Sequence, residues 1–399
     1  MTARPEATEI GIEDLLPRLK DNGYSLDRVQ KRRGWIEQKT GATLGHVGGE
    51  RVDTELMRGN IENPIGVAQV PMGVAGPILV HGQHASGLYY VPMATTEGAL
   101  IRSYERGMVA LTKAGGVQTS VASDENHTAP SFFFDDIAGA AAFPAWITEQ
   151  RAELDAVVAS TTKHGALTGI KCYPTGRQVT VNFGFSTGDA QGMNMIVRAT
   201  DAICRWVEKN YPIANYFLFS GMCSEKRASG FLMTRGKGKR VIAGALLPHK
   251  VLSTYLHTTA DALFRVWQST TVGHLQAGAI GNNAHVANGL TAIFIATGQD
   301  VANVVNSTCA ITVFEPHPDG LYVSTTLAAL SVATVGGGTA LPTQREALRI
   351  MDCVGTGKAK RLAEIVAGAI LGGEISMGSA IASKEFVGAH ERYGRNRPT

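Results

Sequence analysis

A carboxylate in an unusual setting lies in residues 92–98, PMATTEG. Glu97 is followed by glycine and alanine instead of a charged helix face, so we expect it to have apolar neighbours. Desolvation there would raise the pKa of the carboxyl toward that of a general acid. Helix capping is the alternative, because a threonine followed by a glutamate is common at helix starts. Thr96 and Glu97 therefore mark either a helix cap or a proton donor.

Two further charged groups follow predicted elements. Lys226, in the run 224–227 (SEKR), comes after a strand that ends at Ser220, where a cleft between domains is expected. A surface turn explains this run equally well. Asp300 ends an apolar helix predicted over 288–297, which puts a carboxylate either at the mouth of a buried element or at a solvated helix end.

A glycine-rich run, 188–195 (GDAQGMNM), opens another predicted helix. Its glycines let backbone N–H groups approach a ligand, and the partial positive charge of a helix N-terminus suits a phosphate, although a plain helix cap is the alternative. Residues 184–188 match the G-x-S-x-G elbow of serine hydrolases, a match that a glycine-rich chain easily produces by chance. The chain has no G-x-G-x-x-G run after a strand, no P-loop and no H-E-x-x-H motif, so neither a Rossmann fold nor a zinc protease is predicted.

Composition limits the class of protein. The 399 residues are 44% hydrophobic and 18% charged, which predicts a globular chain with much surface buried between domains or subunits. A net charge of +3 disfavours a nucleic-acid-binding protein and can serve an anionic small ligand. The five cysteines form no CxxC pair, which argues against a disulfide framework or a cysteine zinc site. With neither a signal peptide nor an apolar run of membrane-spanning length recognised, we expect a soluble, cytoplasmic, metal-free protein that does not bind membranes.

Three regions are expected to position these groups. Residues 1–60 suggest an N-terminal helical arm, and residues 61–130 and 220–399 suggest a large helix-rich domain. Residues 131–219 suggest a small α+β domain inserted into the large one. The predicted helices cover 12–20, 25–40, 96–113, 145–158, 194–208, 257–269, 288–297 and 358–371. The predicted strands cover 132–134, 179–185 and 216–219, with a further β region over 309–326.

Taken in order along the chain, these stretches resemble one family, the hydroxymethylglutaryl-CoA reductases, in their soluble, class I-like form. The resemblance covers roughly residues 60–395. Motifs that are weak singly are hard to obtain by chance in this order. The matching runs are ENPIG (62–66), VAGP (74–77), ATTEG (94–98), GDAQGMNM (188–195), NAH (283–285), GQD (298–300) and TVGGGT (334–339).

The resemblance implies a four-electron reduction in which a thioester becomes a hemithioacetal, then an aldehyde, then an alcohol with free CoA. NADPH is the implied reductant, with NADH less favoured, and no metal is implied. By position it makes Glu97, Lys226, Asp300 and His390 catalytic. The lysine would stabilise negative charge on oxygen, the glutamic acid would supply the proton and the aspartate would tune both. The histidine would protonate the departing thiolate.

The resemblance also implies two binding surfaces: NADP on a ferredoxin-like, non-Rossmann small domain, and CoA with its acyl group on the large domain. The run 62–66 resembles a dimer-forming element, so a homodimer or dimer of dimers with shared active sites is expected. The implied cofactor-binding residues are Lys163, Asp189, Gly192, Met193, Asn194, Val335, Gly336 and Arg395, the last at the 2′-phosphate. The implied substrate-binding and CoA-binding residues are Ser103, Arg106, Ser220, Arg227, Lys250 and Asn283.

Several departures from the family pattern concern the acyl pocket. Residues 124–128 (DENHT) stand where the family usually has Asp-Gly-Met-Thr-Arg, so Thr128 replaces an arginine that helps to hold the substrate carboxylate. The lysine run is one residue shorter, with Glu225 for the usual Asp and Arg227 for the usual Lys, and Ala389 replaces a serine. Two alternatives therefore stay open: a reductase of a related but different acyl-CoA thioester, and a non-catalytic CoA or nucleotide sensor.

Overall fold

The computed structural model describes residues 25–40 and 53–385, which fall into two units, Met1–Pro71 and Met72–Thr399. The first unit contains helix α1 (Leu26–Thr40), as the sequence predicts, and a 3₁₀ turn, Thr54–Met57. The helix predicted over 12–20 lies outside the described residues.

The second unit contains the elements that position the candidate site. Its helices are α2 (Leu100–Lys113), α3 (Ile137–Glu149), α4 (Arg151–Thr161), α5 (Met193–Asn210), α6 (Gly230–Arg235), α7 (His249–Tyr255), α8 (Ala260–Ala277), α9 (Val286–Thr297), α10 (Val304–Ser307), α11 (Pro342–Ile350) and α12 (Ala359–Ala382). Its strands are β1 (Met72–Gly82), β2 (Ser86–Ala94), β3 (Val117–Thr128), β4 (Ser131–Phe133), β5 (Ala166–Thr175), β6 (Gln178–Ser186), β7 (Asn215–Phe217), β8 (Gly238–Pro248), β9 (Ala310–His317) and β10 (Gly320–Leu330).

Strand β3 joins two layers of sheet. Residues 117–119 pair in parallel with β1, and residues 118–125 pair antiparallel with β8, which continues through β10 to β9. The end of β3, from Asn126 to Thr128, pairs instead with β6. The family departure at 124–128 therefore lies on the strand that connects the two layers.

The inserted unit is ferredoxin-like. Its strands lie in the order β5, β6, β4, β7 with antiparallel pairing, and the chain runs through them as βαββαβ, with α3 and α4 forming the first helical connection and α5 the second. It has its own hydrophobic cluster, which includes Phe132, Phe183 and Ile203, separate from the cluster of the large sheet. An antiparallel sheet of this order is not a Rossmann sheet, so the predicted α+β, non-Rossmann fold class is confirmed.

Helix α12 runs through the large core, where it packs on α2, β8 and α9. It extends beyond the predicted end at residue 371. Among residues 25–40 and 53–385 it is the one helix long and apolar enough to cross a membrane, and most of it is buried. The expectation that no apolar run reaches that length was wrong. Glu364 and Glu374 interrupt the apolar run in the sequence and so conceal its length, but the helix is continuous and both carboxylates are buried within it. Glu364 accepts hydrogen bonds from the N–H groups of His84 and Ala85, which compensate its charge.

Candidate functional site

Lys226 and Asp300 form an ion pair, with Nζ 2.9 Å from Oδ2. Asp300 follows α9 and caps a short 3₁₀ turn, where its Oδ1 accepts a hydrogen bond from the N–H of Ala302. The hydrogen bond to Asp300 raises the pKa of Lys226 above its ordinary value, so the ammonium stays charged. Two residues that the sequence singled out separately are thus brought into one contact.

The turn that carries Lys226 is strained. Ser224 has φ +49° and Lys226 has φ +55°, the left-handed region that side chains other than glycine rarely adopt. Such residues cost ~1 to 3 kcal/mol each and persist only where the surroundings hold them. A strained turn around a charged residue is a typical sign of a functional site, which favours the cleft interpretation of residues 224–227 over a plain surface turn.

Asp300 also lies beside the loop that contains Val335 and Gly336. The side-chain amide of Gln299 exchanges two hydrogen bonds with the backbone of Ala333, at 2.7 and 3.0 Å. Gly298 packs so closely on this loop that a Cβ there would lie 2.3 Å from the carbonyl oxygen of Gly338. Only a residue without a side chain permits this approach.

Asp189 ties the glycine-rich run before α5 to the same loop. Its carbonyl oxygen accepts hydrogen bonds from the N–H groups of Thr334 and Val335, at 2.9 and 3.3 Å. Its carboxylate accepts from the N–H groups of Gly357 and Ala359, at 2.7 and 3.0 Å. The carboxylate is therefore engaged at the start of α12, while the carbonyl oxygen joins the glycine-rich run to the Val335 loop, two predicted cofactor segments.

The N-terminus of α5 offers backbone donors. Gly192 is its N-cap residue with φ +77°, and no side chain caps the first turn. A Cβ on Gly192 would lie 2.5 Å from the side chain of Thr187, so glycine is required there for space as well as conformation. Free N–H groups and the helix dipole make this end suitable for a phosphate. Met193 begins the helix, and Asn194 is exposed.

The loop before α5 also contacts the lysine turn. Asn126 donates a hydrogen bond to the carbonyl oxygen of Gln191 at 2.8 Å, and its amide lies 3.5 Å from Sδ of Met193. The side-chain amide of Gln191 donates to Glu225 at 3.4 Å. The sequence offered no signal for Asn126 or Gln191, because each acts through a contact with a distant segment.

Lys163 lies on the turn that precedes β5 and is exposed. This turn is close to the start of α5, since a Cβ on Gly165 would lie 2.6 Å from Cε of Met195. An exposed ammonium near a helix N-terminus adds positive charge to a surface suited to phosphates.

Glu97 is exposed, so the expected apolar surroundings were wrong. The capping interpretation was also wrong: α2 begins at Leu100, and its N-cap residue is Ala99, with φ +69° and no side-chain cap. The N–H of Glu97 donates to Oγ1 of Thr95, while its carboxylate makes no hydrogen bond or ion pair with any described residue. Glu97 is thus displayed on a strained turn without touching the lysine–aspartate pair of its own chain.

The residues predicted along the CoA path are tied to α12. Oγ of Ser103 donates to Oγ of Ser376, and Arg106 donates to Oγ and to the carbonyl oxygen of the same serine. A weaker ion pair, 3.7 Å, joins Arg106 to Glu385. The structure therefore groups Ser103 and Arg106, and Ser376 is a member of this cluster that the sequence did not indicate.

The predicted acyl-binding residues occupy separate places. Ser220 donates its hydroxyl to the carbonyl oxygen of Ala129, and Lys250 is exposed near the start of α7. Arg227 is exposed beside Lys226, and its guanidinium makes no hydrogen bond or ion pair with another described side chain. The amide nitrogen of Asn283 donates to the backbone within 3.1 and 3.3 Å, which leaves its oxygen as the group available to a ligand.

Glu374 of α12 holds the backbone of the two residues that follow Asn283. This fully buried carboxylate accepts hydrogen bonds from the N–H groups of Ala284 and His285 and from the hydroxyl of Thr312. Burial raises its pKa above the ordinary value for a glutamate. A carboxylate inside an apolar helical run was the sequence signal that could have revealed it.

The departure at 124–128 contains two partly buried carboxylates that pair with cations of neighbouring segments. Asp124 pairs with Lys239 at 3.2 Å, and Glu125 pairs with Arg235. Thr128 is buried and shares a 2.7 Å hydrogen bond with Thr200 of α5. In place of an arginine directed at a substrate, this position therefore carries a residue that packs the inserted unit onto β3.

Buried His127 lies in the same run, with Nε2 donating to the carbonyl oxygen of Gly236 and Nδ1 accepting from Asn182, each at 3.0 Å. Desolvation, and then the charges of Lys237 and Arg235, lower its pKa to about 3. The unfolded chain binds a proton at a pKa near ~6.5. The free energy of unfolding therefore falls as the pH drops from the pKa of His127 in the unfolded chain toward its pKa in the folded protein.

When the pH is lowered from about 6.5 to about 4.5, the free energy of unfolding should decrease less in His127→Gln than in the wild type. Denaturant unfolding at several pH values measures this, and imidazole nitrogen shifts should show a neutral ring throughout. An imidazole that titrates near its ordinary pKa would contradict the assignment.

The serine-hydrolase interpretation of 184–188 was wrong. Oγ of Ser186 lies at the end of β6, within 3.3 Å of the N–H and 3.5 Å of the carbonyl oxygen of Ala166. No described histidine contacts it, so it has no base. Residues 25–40 and 53–385 contain no group of three or more His, Cys, Asp or Glu side chains that could hold a metal ion. His390 and Arg395 lie outside the described residues.

The fold and site define a class: an α+β enzyme with a lysine–aspartate pair beside an uncapped, phosphate-suited helix N-terminus and no Rossmann sheet. The family model "Hydroxymethylglutaryl-coenzyme A reductase" matches residues 28–395. The 3-hydroxy-3-methylglutaryl-coenzyme A reductase of Pyrococcus abyssi is 41% identical over 97% of this chain and 100% of that relative. That of Haloferax volcanii is 41% identical over 92% of this chain and 93% of its own length.

A solved structure titled as the class II reductase of Streptococcus pneumoniae bound to NADPH in open conformations superposes with a TM-score of 0.66. It is 17% identical and covers 89% of this chain and 97% of its own, so it shows the shared fold alone. The chain belongs to the hydroxymethylglutaryl-coenzyme A reductase family and is an oxidoreductase.

Proposed function

We propose that this protein reduces 3-hydroxy-3-methylglutaryl-CoA to mevalonate and free CoA with NADPH. The observation that carries the proposal is the 2.9 Å pair between Lys226 and Asp300, next to the loops that contain Gly192 and Val335. A cation beside a nucleotide surface is what two successive hydride additions to carbonyl carbons require.

Four residues have separate roles in the proposed reduction. Each hydride addition leaves negative charge on a carbonyl oxygen, which the ammonium of Lys226 stabilises while Asp300 keeps that ammonium charged and in place. Glu97 gives a proton to the oxygen. As the hemithioacetal collapses, its hydroxyl proton returns to the carboxylate of Glu97, the C–S bond breaks, and His390 protonates the CoA thiolate. Glu97 then again carries the proton for the oxygen formed by the second hydride addition. The resulting aldehyde accepts the second hydride to give the alcohol.

NADPH fits the residues present. The uncapped N-terminus of α5 at Gly192 supplies N–H donors for the pyrophosphate, and exposed Lys163 supplies positive charge. Met193, Asn194 and Arg395 complete the predicted surface, the last at the 2′-phosphate. Asp189 contributes by positioning, since its carboxylate is already held at the start of α12. When bound, the dinucleotide supplies the hydrides.

We assign the nucleotide to residues 131–219 and the CoA thioester to 61–130 and 220–399, with 1–60 as an arm. The protein is proposed to be soluble, cytoplasmic and a homodimer or dimer of dimers. The carboxylate of Glu97 has no partner within the described chain, which supports completion of the site by a second copy. The class I-like subdivision predicted from the sequence is not supported by the comparisons, and we assign the family alone.

The test is NADPH oxidation, followed by absorbance, with 3-hydroxy-3-methylglutaryl-CoA, several neutral acyl-CoAs and a p-nitrophenyl ester. Mevalonate formation with the first substrate, faster with NADPH than with NADH, is the expected result. Reduction of another acyl-CoA alone would favour the related reductase, and tight CoA binding without any reduction would favour a sensor.

Arg227 is proposed to hold the acyl carboxylate, because Thr128 is turned inward and Arg227 is an exposed cation beside Lys226. A guanidinium binds a carboxylate through two hydrogen bonds, which an ammonium cannot match. Arg227→Lys should raise KM for 3-hydroxy-3-methylglutaryl-CoA more than tenfold, about 1.4 kcal/mol of lost binding. Steady-state kinetics measure this.

The matched control is Arg265→Lys, an exposed arginine on α8 that pairs with Asp261. It should leave KM unchanged. The role of Arg227 is excluded if Arg227→Lys has no effect and the wild type prefers a neutral acyl-CoA.

A further inference from the structure

The buried ammonium of Lys237 plays no part in the chemistry proposed above. Lys237 directly precedes β8, and its side chain is fully buried. Its Nζ lies 3.0 Å from Oε2 of Glu225 and donates a hydrogen bond to the carbonyl oxygen of His127, also at 3.0 Å. A charge withdrawn from water needs a compensating partner, and here the partner is the residue next to Lys226.

Glu225 sits between two left-handed residues, Ser224 and Lys226. Both of its carboxylate oxygens are engaged, since Oε2 meets Lys237 and Oε1 accepts from the amide of Gln191. These contacts come from the residue that precedes β8 and from the loop before α5. They supply the external restraint that a strained turn requires.

Lys226 itself cannot be positioned by packing, because 48% of its side chain is exposed. A long exposed lysine ordinarily samples many rotamers. Its contact with Asp300 therefore depends on the direction in which the turn presents its Cα–Cβ bond. That direction is set by the backbone at 224–226, which Glu225 holds.

We propose that Lys237 is a positioning residue for the reduction: through Glu225 it fixes the 224–227 turn so that Lys226 reaches Asp300. Gln191 applies the second restraint to the same carboxylate, which links the turn to the nucleotide loop. The kinetic test of this inference rests on the proposed function. A second test, the pKa of Lys226, rests on the geometry of the turn alone.

The chain provides a matched control in Lys239. Its side chain is 3% exposed, it lies two residues further along, and it pairs with Asp124 at 3.2 Å without contacting the lysine turn. Lys237→Met and Lys239→Met each remove a buried ammonium from a partly buried carboxylate, Glu225 or Asp124, so both should lower Tm. Measured below both transition temperatures, Lys237→Met should lower kcat at least tenfold, and Lys239→Met should leave kcat within about twofold of the wild type.

A double-mutant cycle tests whether Lys237 acts through Glu225. In a Glu225→Gln background, Lys237→Met should change kcat by less than about threefold, because the partner through which it acts is already gone. Full additivity of the two effects would overturn the proposal. Should Lys237→Met fail to fold, Lys237→Gln serves instead, since its amide can still donate to the carbonyl oxygen of His127 while the charge is removed.

The second readout needs no turnover. The pKa of Lys226 follows from the pH dependence of its labelling by an amine reagent, measured by mass spectrometry. Removal of a neighbouring positive charge would by itself raise this pKa, whereas loss of the Asp300 contact lowers it. We expect a fall in Lys237→Met and no change in Lys239→Met.

An unchanged or raised pKa of Lys226 in Lys237→Met, with equal kcat losses in both variants, overturns the positioning role. If the wild type fails to reduce 3-hydroxy-3-methylglutaryl-CoA, the proposed function fails, and the labelling result alone decides the positioning role.

Discussion

Lys226→Ala should lower kcat for the reduction of 3-hydroxy-3-methylglutaryl-CoA by at least ~10²-fold, because one cation stabilises the oxygen charge in both hydride additions. The ammonium lies 2.9 Å from Asp300, which holds its pKa above the ordinary value, so the charge is present throughout the working pH range. Folding should be nearly unaffected, since the side chain is half exposed and surface substitutions usually change stability by less than about 0.5 kcal/mol.

Steady-state and single-turnover kinetics of Lys226→Ala measure this effect, with Tm as the check on folding. Lys171→Ala is the control, because Lys171 is an exposed lysine on β5 far from the turn in sequence. Near-normal turnover of Lys226→Ala would mean that residues 224–227 are only a surface turn.

Glu97→Gln should reduce kcat by ~10² to 10⁴-fold, the range for loss of a general acid. The substitution keeps the size and hydrogen-bonding shape of the side chain while removing its transferable proton. Because Glu97 is exposed and its carboxylate makes no hydrogen bond or ion pair with described residues, stability should change little. Any loss of activity can then be attributed to the chemistry.

The control for Glu97→Gln is Glu105→Gln, a half-buried carboxylate on α2 that pairs with Arg102. It should retain full activity. Mixing subunits of Glu97→Gln with subunits of Lys226→Ala should restore part of the lost activity if the site is shared between copies. Full activity of Glu97→Gln would remove this glutamate from the mechanism.

Elements with strong local patterns could be predicted from the sequence. Helix α5 was expected over 194–208 and spans Met193–Asn210, and α9 was expected over 288–297 and spans Val286–Thr297. Their apolar spacing and their glycine boundaries are local properties of the chain. Helix α2 began four residues later than expected, because Thr96 and Glu97 do not cap it.

Strands β1, β2, β3 and β8 were not predicted. Strand β3 reads VQTSVASDENHT, which is too polar to suggest a strand, yet it pairs with β1, β6 and β8. A strand of this composition forms because distant partners supply its hydrogen bonds and its partly buried carboxylates pair with cations of β8 and α6. The sequence of one strand does not contain that information.

The sequence alone determined the family, the positions of the motifs and the residue types available for chemistry, because these are properties of residue order. The tertiary structure decided which of those residues meet. Lys226 reaches Asp300, Asp189 turns its carboxylate to α12, Thr128 packs inward and Glu97 faces outward. Each outcome depends on where segments far apart in the chain come together, and burial, pairing and pKa follow from that arrangement rather than from neighbouring residues.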